Sequence, residues 1–299
     1  MDQQSAQSEI RSNKVIDEFK TNAFPELERD LTFYPLGVDQ PTVLTQKQIN
    51  QYNDDGYLAP FTIFSTEEML DIRAYFDDLL ERGMAIGWSN YDLTNWHKYC
   101  RGVWDLVTNK RIVDIISDLL GGTVILGMSH FFAKLPGDGK KVSWHQDASY
   151  WPLSKSRVVS AWLAIDDVDE SNGAMHVIPG SHKRAQLAFE NSWPPEDNVL
   201  DQVVKNALSY GKPIALKLKA GEISLHSDWI LHSSETNSSN RRRCGLAMRF
   251  LSGDVHAYLG RNQHSIICRG TEPSGHWANH ARPETEKIPD LSTNIKQKD

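Results

Sequence analysis

The stretch SWHQDASYW carries His145 and Asp147 two residues apart, an imidazole and a carboxylate that can both donate to one metal ion. On a strand, residues i and i+2 point to the same face and lie about 6–7 Å apart along the chain, so the two side chains can converge. A third ligand must come from a remote strand, and His232 in DWILHSSETN stands where such a strand is expected. Two imidazoles and one carboxylate form a facial triad with three octahedral positions left open, the arrangement that suits non-haem iron(II) oxygenases. An HxD pair alone is a weak signal, since a chain with 11 histidines can form one by chance. Trp144, Tyr150, Trp151 and Pro152 strengthen it by supplying an apolar wall unlike a solvated loop. His226 is the main rival of His232: it lies six residues earlier, and regular alternation puts both on one face. His176 and His182 are weaker rivals, since either can equally be an ordinary hydrogen-bonded histidine.

A small dicarboxylate beside such an ion needs a fixed cation at its far end, which arginine supplies as a bidentate fork. Arg243, eleven residues after His232, is the candidate: if SSETNSSNRR turns, the next strand returns antiparallel and brings Arg243 to the same cavity. The competing reading makes Arg241, Arg242 and Arg243 a solvated basic turn. Ser234 offers a hydroxyl to the same carboxylate, and Trp162 is either an apolar wall or core.

The elements that must position these residues fall into two parts. TQKQINQYNDDGYLAP reads as a short helix stopped by Gly56, Ser65 with Glu68 as a capping box before TEEMLDIRAYFDDLLERG, and NKRIVDIISDLLGG as an amphipathic helix with a Gly-Gly stop. After Gly122 the runs become rich in β-branched and aromatic residues separated by turn formers: TVILGMSHFFAKLP, KVSWHQD, RVVSAWLAIDDV, AMHVIPG, PIALKLKAG, EISLHSDWILHSS and RCGLAMRFLS each read as a strand. A helical preface followed by strands without alternating βα units predicts a mainly β chain with flanking helices, an antiparallel barrel or jelly roll. The expected organisation is an N-terminal arm over 1–40, one domain over 41–283 (helical preface 41–122, jelly roll from about 123) and a polar, mobile tail over 284–299. IDEF and LTFYPL in the arm could pack on the body.

An apolar fraction of 39% and a charged fraction of 24% are those of an ordinary globular protein of 299 residues. The formal charge of −7 excludes non-specific attraction to nucleic acid or anionic membrane, and three widely spaced cysteines without a CxxC pair suit a reducing compartment. No apolar leader and no run of about 18 apolar residues is present, so a soluble, cytoplasmic protein is expected.

Five blocks in order, NDDGYLAP, DLLGG, WHQDASYWPL, VSAWLAIDDVDESNGAMHVIPGSH and LHSSETNSSNRRRCGLAMRF, resemble the phytanoyl-CoA dioxygenase family of iron(II)/2-oxoglutarate oxygenases over roughly Leu44 to Ser252. The resemblance implies a double-stranded β-helix (jelly roll, cupin-like) with iron(II) on His145, Asp147 and His232. It further implies 2-oxoglutarate on Arg243 and Ser234 with Trp162 as a wall, O2 as oxidant and ascorbate as a stimulant. His130, in GMSHFFAK, stands where the family tends to place a methionine near 2-oxoglutarate. An intact Asp147 disfavours halogenation, for which related enzymes replace the carboxylate by a small residue.

The activity so implied is hydroxylation of a C–H bond of a small molecule, or desaturation by the same chemistry. Trp144, Tyr150, Trp151 and Trp229 are candidate pocket walls, and Lys98, Arg101 and Arg269 candidate rim cations for an anionic substrate, against their reading as core aromatics and solvated charges. No Walker A or GxGxxG motif marks a nucleotide site. Two other classes remain open: a metal-binding cupin-type isomerase or small-molecule binder, which needs neither Arg243 nor 2-oxoglutarate, and an inactive relative. No motif encodes the substrate's identity or the oligomeric state.

Overall fold

The computed structural model describes residues 23–191 and 197–291. IDEF and the last eight residues of the tail lie outside the described residues.

The three helices expected in the preface form, joined by a strand and a further short helix that the sequence reading did not include. Helix α1 (Gln46–Asp55) starts at a Thr45/Gln48 capping box and ends at Gly56, whose left-handed φ of 82° lets its amide close on the Tyr52 carbonyl. Strand β1 (Tyr57–Thr62) follows, then α2 (Thr66–Ala85), opened by reciprocal hydrogen bonds between Ser65 and Glu68. Helices α3 (Arg101–Val107) and α4 (Lys110–Leu120) complete it. Asp118 of α4 is buried, and its carboxylate accepts the amides of Thr42, Val43 and Leu44, which pins the entry of the chain to the body.

The strands after Gly122 are β2 (Val124–Lys134), β3 (Val142–His145), β4 (Val158–Ala164), β5 (Met175–Val177), β6 (Glu190–Asn191), β7 (Gln202–Val203), β8 (Ile214–Leu216), β9 (Glu222–Ser227), β10 (His232–Ser234), β11 (Arg243–Ser252) and β12 (Ile266–Arg269). They form a six-stranded sheet in the order β1-β9-β4-β11-β2-β12 and a four-stranded sheet in the order β3-β10-β5-β8, with all neighbours antiparallel. This is the expected jelly roll, with β1, β12 and the separate antiparallel pair β6-β7 as additions the sequence pattern did not suggest. One expected strand is in fact two: EISLHSDWILHSS is broken by a turn at Asp228–Ile230, so β9 joins the larger sheet and β10 the smaller.

Alternation along β11 decides what each face does. Cys244, Leu246, Met248 and Phe250 join the main core with Ile112, Ile116 and Leu119 of α4 and Phe76 and Leu79 of α2, each buried aliphatic side chain contributing about 1.5–3 kcal/mol. Arg243, Ala247 and Arg249, on the opposite face, line a cavity between the sheets.

Both termini of the domain are tied down further than the sequence suggested. The Arg29 guanidinium donates to the carbonyls of Ala148, Trp151 and Leu153, so the described part of the arm docks on the segment that follows Asp147. The stretch after Pro283, expected as a mobile tail, packs along α2 and α3: Tyr75 donates to the Glu286 carboxylate at 2.6 Å, and the Trp88 indole to the Pro289 carbonyl at 2.9 Å. Its polar composition hid this because the stretch is held by hydrogen bonds and by Ile288 against the core, without apolar periodicity. No described helix is long and apolar enough to cross a membrane.

Candidate active site

His145, the last residue of β3, is the direct register partner of His232, the first residue of β10. Their rings lie 4.0 Å apart. Each Nδ1 meets a carbonyl two residues back, His145 that of Ser143 at 2.8 Å and His232 that of Ile230 at 3.1 Å. A carbonyl can only accept, so each Nδ1 holds the proton and each Nε2 presents a lone pair.

Asp147 opens a single 3₁₀ turn (Asp147–Tyr150), yet it keeps the i, i+2 relation to His145 because Gln146 between them is extended (φ −118°, ψ 127°). Gln146 is locked by donating to the carbonyls of Ala185 and Trp229 and accepting from the Leu187 amide. Asp147 Oδ1 lies 3.5 Å from His145 Nε2 and 3.8 Å from His232 Nε2, and one ligand atom from each of the three residues falls within 4.8 Å of the others. Its second oxygen, Oδ2, faces Ser160 Oγ at 3.4 Å and Arg249 Nε at 3.8 Å.

Burial alone would raise the Asp147 pKa, but the Arg249 guanidinium beside it holds it well below the usual carboxylate range. Burial and the neighbouring His145 push His232 well below its ordinary value. An ionised carboxylate and imidazole lone pairs facing one buried point form a donor set suited to a divalent transition metal.

His226, the rival, is on β9 in the other sheet, with its ring 5.1 Å from that of His232. It lines the cavity but falls outside the mutually close set, and burial lowers its pKa to about 4. His182 engages the Asn53 carbonyl and packs edge-on to Phe33, as a structural histidine does. His176 pairs with Ser233, one residue out of step with His232, and is not in the cavity wall.

The cavity holding the triad has a volume of about 1170 Å³ and extends to Arg243, Ser234, Trp162 and His130. Arg243 is buried, its guanidinium lies 4.6 Å from the Trp162 ring, and its Nε and the Ser234 Oγ make no hydrogen bond among the described residues. Two orphaned buried donors on the wall of one cavity suit a carboxylate. Burial lowers Arg243 to about 10, and it lowers Lys134, the register partner of Arg243, to about 7; Lys134 Nζ donates to the Ser234 and Glu235 carbonyls. The basic run is thus not one solvated turn: Arg241 pairs with Asp169, Arg242 with Asp166 and Asp77, and Arg243 turns inward. His130 meets the Tyr91 carbonyl at 2.7 Å and stacks on Phe132.

Of the expected pocket walls, Tyr150 and Trp151 line the cavity. Trp144, which alternation on β3 turns away from His145, packs against the cluster of Leu187, Phe189 and Val204, and Trp229, in the turn between β9 and β10, is 1% exposed in the interior and does not line the cavity. The expected rim cations are also displaced. Arg101 pairs with Glu286, and Arg269 with Asp114 and Ser117 on the α4 side, while Lys98 stands behind the cavity wall, 2.9 Å from His264 Nδ1. The cations that do line the cavity beside Arg243 are Arg249, Arg261 and Lys140. Arg249 was legible in principle, since alternation through RCGLAMRFLS puts it on the face of Arg243.

Against known proteins, the model of the phytanoyl-CoA dioxygenase (PhyH) family matches residues 52–245, a span that includes the triad and Arg243. A probable alpha-ketoglutarate-dependent hypophosphite dioxygenase of Stutzerimonas stutzeri is 29% identical over 244 residues, 72% of this chain and 81% of that protein. The ectoine dioxygenase of Bordetella parapertussis is 23% identical over 235 residues, 70% of this chain and 76% of that protein. Among solved structures, the apo non-heme monooxygenase ThoJ superposes with a TM-score of 0.69 at 22% identity, over 83% of this chain and 93% of that one. EctD from S. alaskensis with 2-oxoglutarate and 5-hydroxyectoine superposes with a TM-score of 0.64 at 17% identity, over 93% and 98%. These structures share the fold.

Proposed function

The chain belongs to the phytanoyl-CoA dioxygenase family, and on that footing we propose that it is an iron(II)- and 2-oxoglutarate-dependent hydroxylase of a small molecule. His145, Asp147 and His232 hold the metal; Arg243 and Ser234 take the far carboxylate of 2-oxoglutarate, and Trp162 walls it. Iron bound there supplies oxidation of a C–H bond to C–OH by O2, with 2-oxoglutarate leaving as succinate and CO2.

The protein's own part is positioning. The Ser143 and Ile230 carbonyls keep the Nδ1 protons of the two histidines, so both Nε2 atoms stay directed at the metal. Ser160 orients Asp147 through its second oxygen. The buried walls limit water beside the reacting bond. Asp147 leaves no vacated ligand position for a halide, which favours hydroxylation over halogenation. The observation that carries this reading is the pair of unsatisfied buried donors, Arg243 Nε and Ser234 Oγ, in the same cavity as the triad. A cupin-type isomerase or binder has no use for them.

The test is succinate formation from 2-oxoglutarate by the purified chain with iron(II), ascorbate and O2. Succinate above the protein-free control is expected; its absence across a broad metabolite library, together with no 2-oxoglutarate binding, removes the proposal.

A further inference from the structure

Arg249 stands six residues beyond Arg243 on the same face of β11. Its side chain is 11% exposed, and neither Nε nor Nη1 makes a hydrogen bond among the described residues. The rings of Trp151 and Phe132 hold the guanidinium from 5.7 and 5.8 Å, so it is kept inside the cavity and not extended to solvent. A guanidinium so placed is strongly disfavoured unless an anion meets it. Asp147, at 3.8 Å, is beyond hydrogen-bond distance of Nε, and its charge serves the metal.

The charges of the loaded site make the same point. Iron(II) and Arg243 offset those of Asp147 and doubly charged 2-oxoglutarate, which leaves Arg249 unmatched. Asp92, the other acid of the described wall, accepts from the Ser89 hydroxyl, while Arg261 and Lys140 add further positive charge.

Resting on the proposed oxygenase reading, we infer that the primary substrate carries an oxyanion, a carboxylate or phosphorus oxyanion, that docks on Arg249. Because Arg249 is beside Asp147, an acid held there lies next to the metal.

The test uses the full chain loaded with manganese(II), a redox-silent substitute for iron, and saturating 2-oxoglutarate. Acetate and methylphosphonate are titrated by calorimetry and thermal shift, each beside a neutral counterpart, acetamide and the dimethyl ester of methylphosphonate. At least one acid should bind while its neutral counterpart does not, and the two arms separate a carboxylate from a phosphorus oxyanion. Arg249→Gln should weaken that acid by about tenfold or more, as for loss of one partner of a buried charge pair, with a much smaller change in manganese(II) and 2-oxoglutarate affinity. Arg249→Lys should recover part of the loss. Failure of both acids to bind, equal binding of the neutral counterparts, or undiminished acid binding by Arg249→Gln overturns the inference. So does a matching loss of manganese(II) affinity in that variant, which would make Arg249 solely a positioning residue for Asp147. Failure of the wild-type chain to bind manganese(II) and 2-oxoglutarate is a separate result, and it removes the oxygenase reading itself.

Discussion

Trp162 lies flat against the backbone of Gly245: a Cβ placed on that glycine would stand 1.9 Å from the indole Cζ2. The ring can sit beneath Arg243 only while Gly245, two residues before its register partner Ala247 on β11, has no side chain. Gly245→Ala should therefore cost about 1–3 kcal/mol by overpacking and displace the indole from the Arg243 guanidinium. Urea unfolding together with 2-oxoglutarate titration checks both effects. Undiminished binding in a destabilised variant would separate Trp162 from the dicarboxylate.

His145→Ala and Asp147→Ala should each abolish iron retention and succinate formation, since either leaves only two ligands. His226→Ala should keep its iron, because that ring lies outside the close triad. Metal analysis after gel filtration distinguishes the two histidine positions: iron loss in His226→Ala with retention in His232→Ala would exchange their roles.

For Arg243→Ala, 2-oxoglutarate binding should weaken by about 2–5 kcal/mol, as when one partner of a buried charged pair is truncated. Arg243→Lys should recover little of it, since an ammonium lacks the planar fork. An unaltered calorimetric isotherm for the alanine variant would move the anchor elsewhere.

The metal-free protein should lose stability as pH falls below about 6.5, the ordinary histidine value. Burial pushes His97 down to about 3 and His130 and His182 to about 4, so the unfolded chain binds protons that the folded one refuses. Their contribution is complete above the unfolded value and is lost progressively down to these folded values. His97, held between Ser129 Oγ and the His264 carbonyl, should carry part of the slope. Urea midpoints of wild type and His97→Gln between pH 7 and 4 measure it; parallel slopes would assign the proton uptake to other groups.

The jelly roll was legible because its strands are runs rich in β-branched and aromatic residues set off by turn formers, and the capping boxes at Thr45 and Ser65 marked helix starts by chemistry independent of packing. His145 and Asp147 were legible as a pair because the relation is local. The choice between His226 and His232 was not, because it depends on the Asp228–Ile230 turn, which sends the chain from one sheet to the other where simple alternation places both on one face. Arg101, Arg269 and Lys98 show the converse limit. Each is a cation near an element of the site in sequence, and each is claimed by a partner that only tertiary packing supplies. Arg249 went unnoticed because its partners, Asp147 and two aromatic rings, come from distant segments.

Ser234 belongs to the smaller sheet and Arg243 to the larger. One carboxylate gripped by both would be a second brace between the layers, beside the hydrogen bonds that Lys134 of the larger sheet donates to the Ser234 and Glu235 carbonyls. Loading the dicarboxylate should then slow amide exchange on β10 and β11 together, so that occupancy of a small pocket is felt as stiffness in both walls.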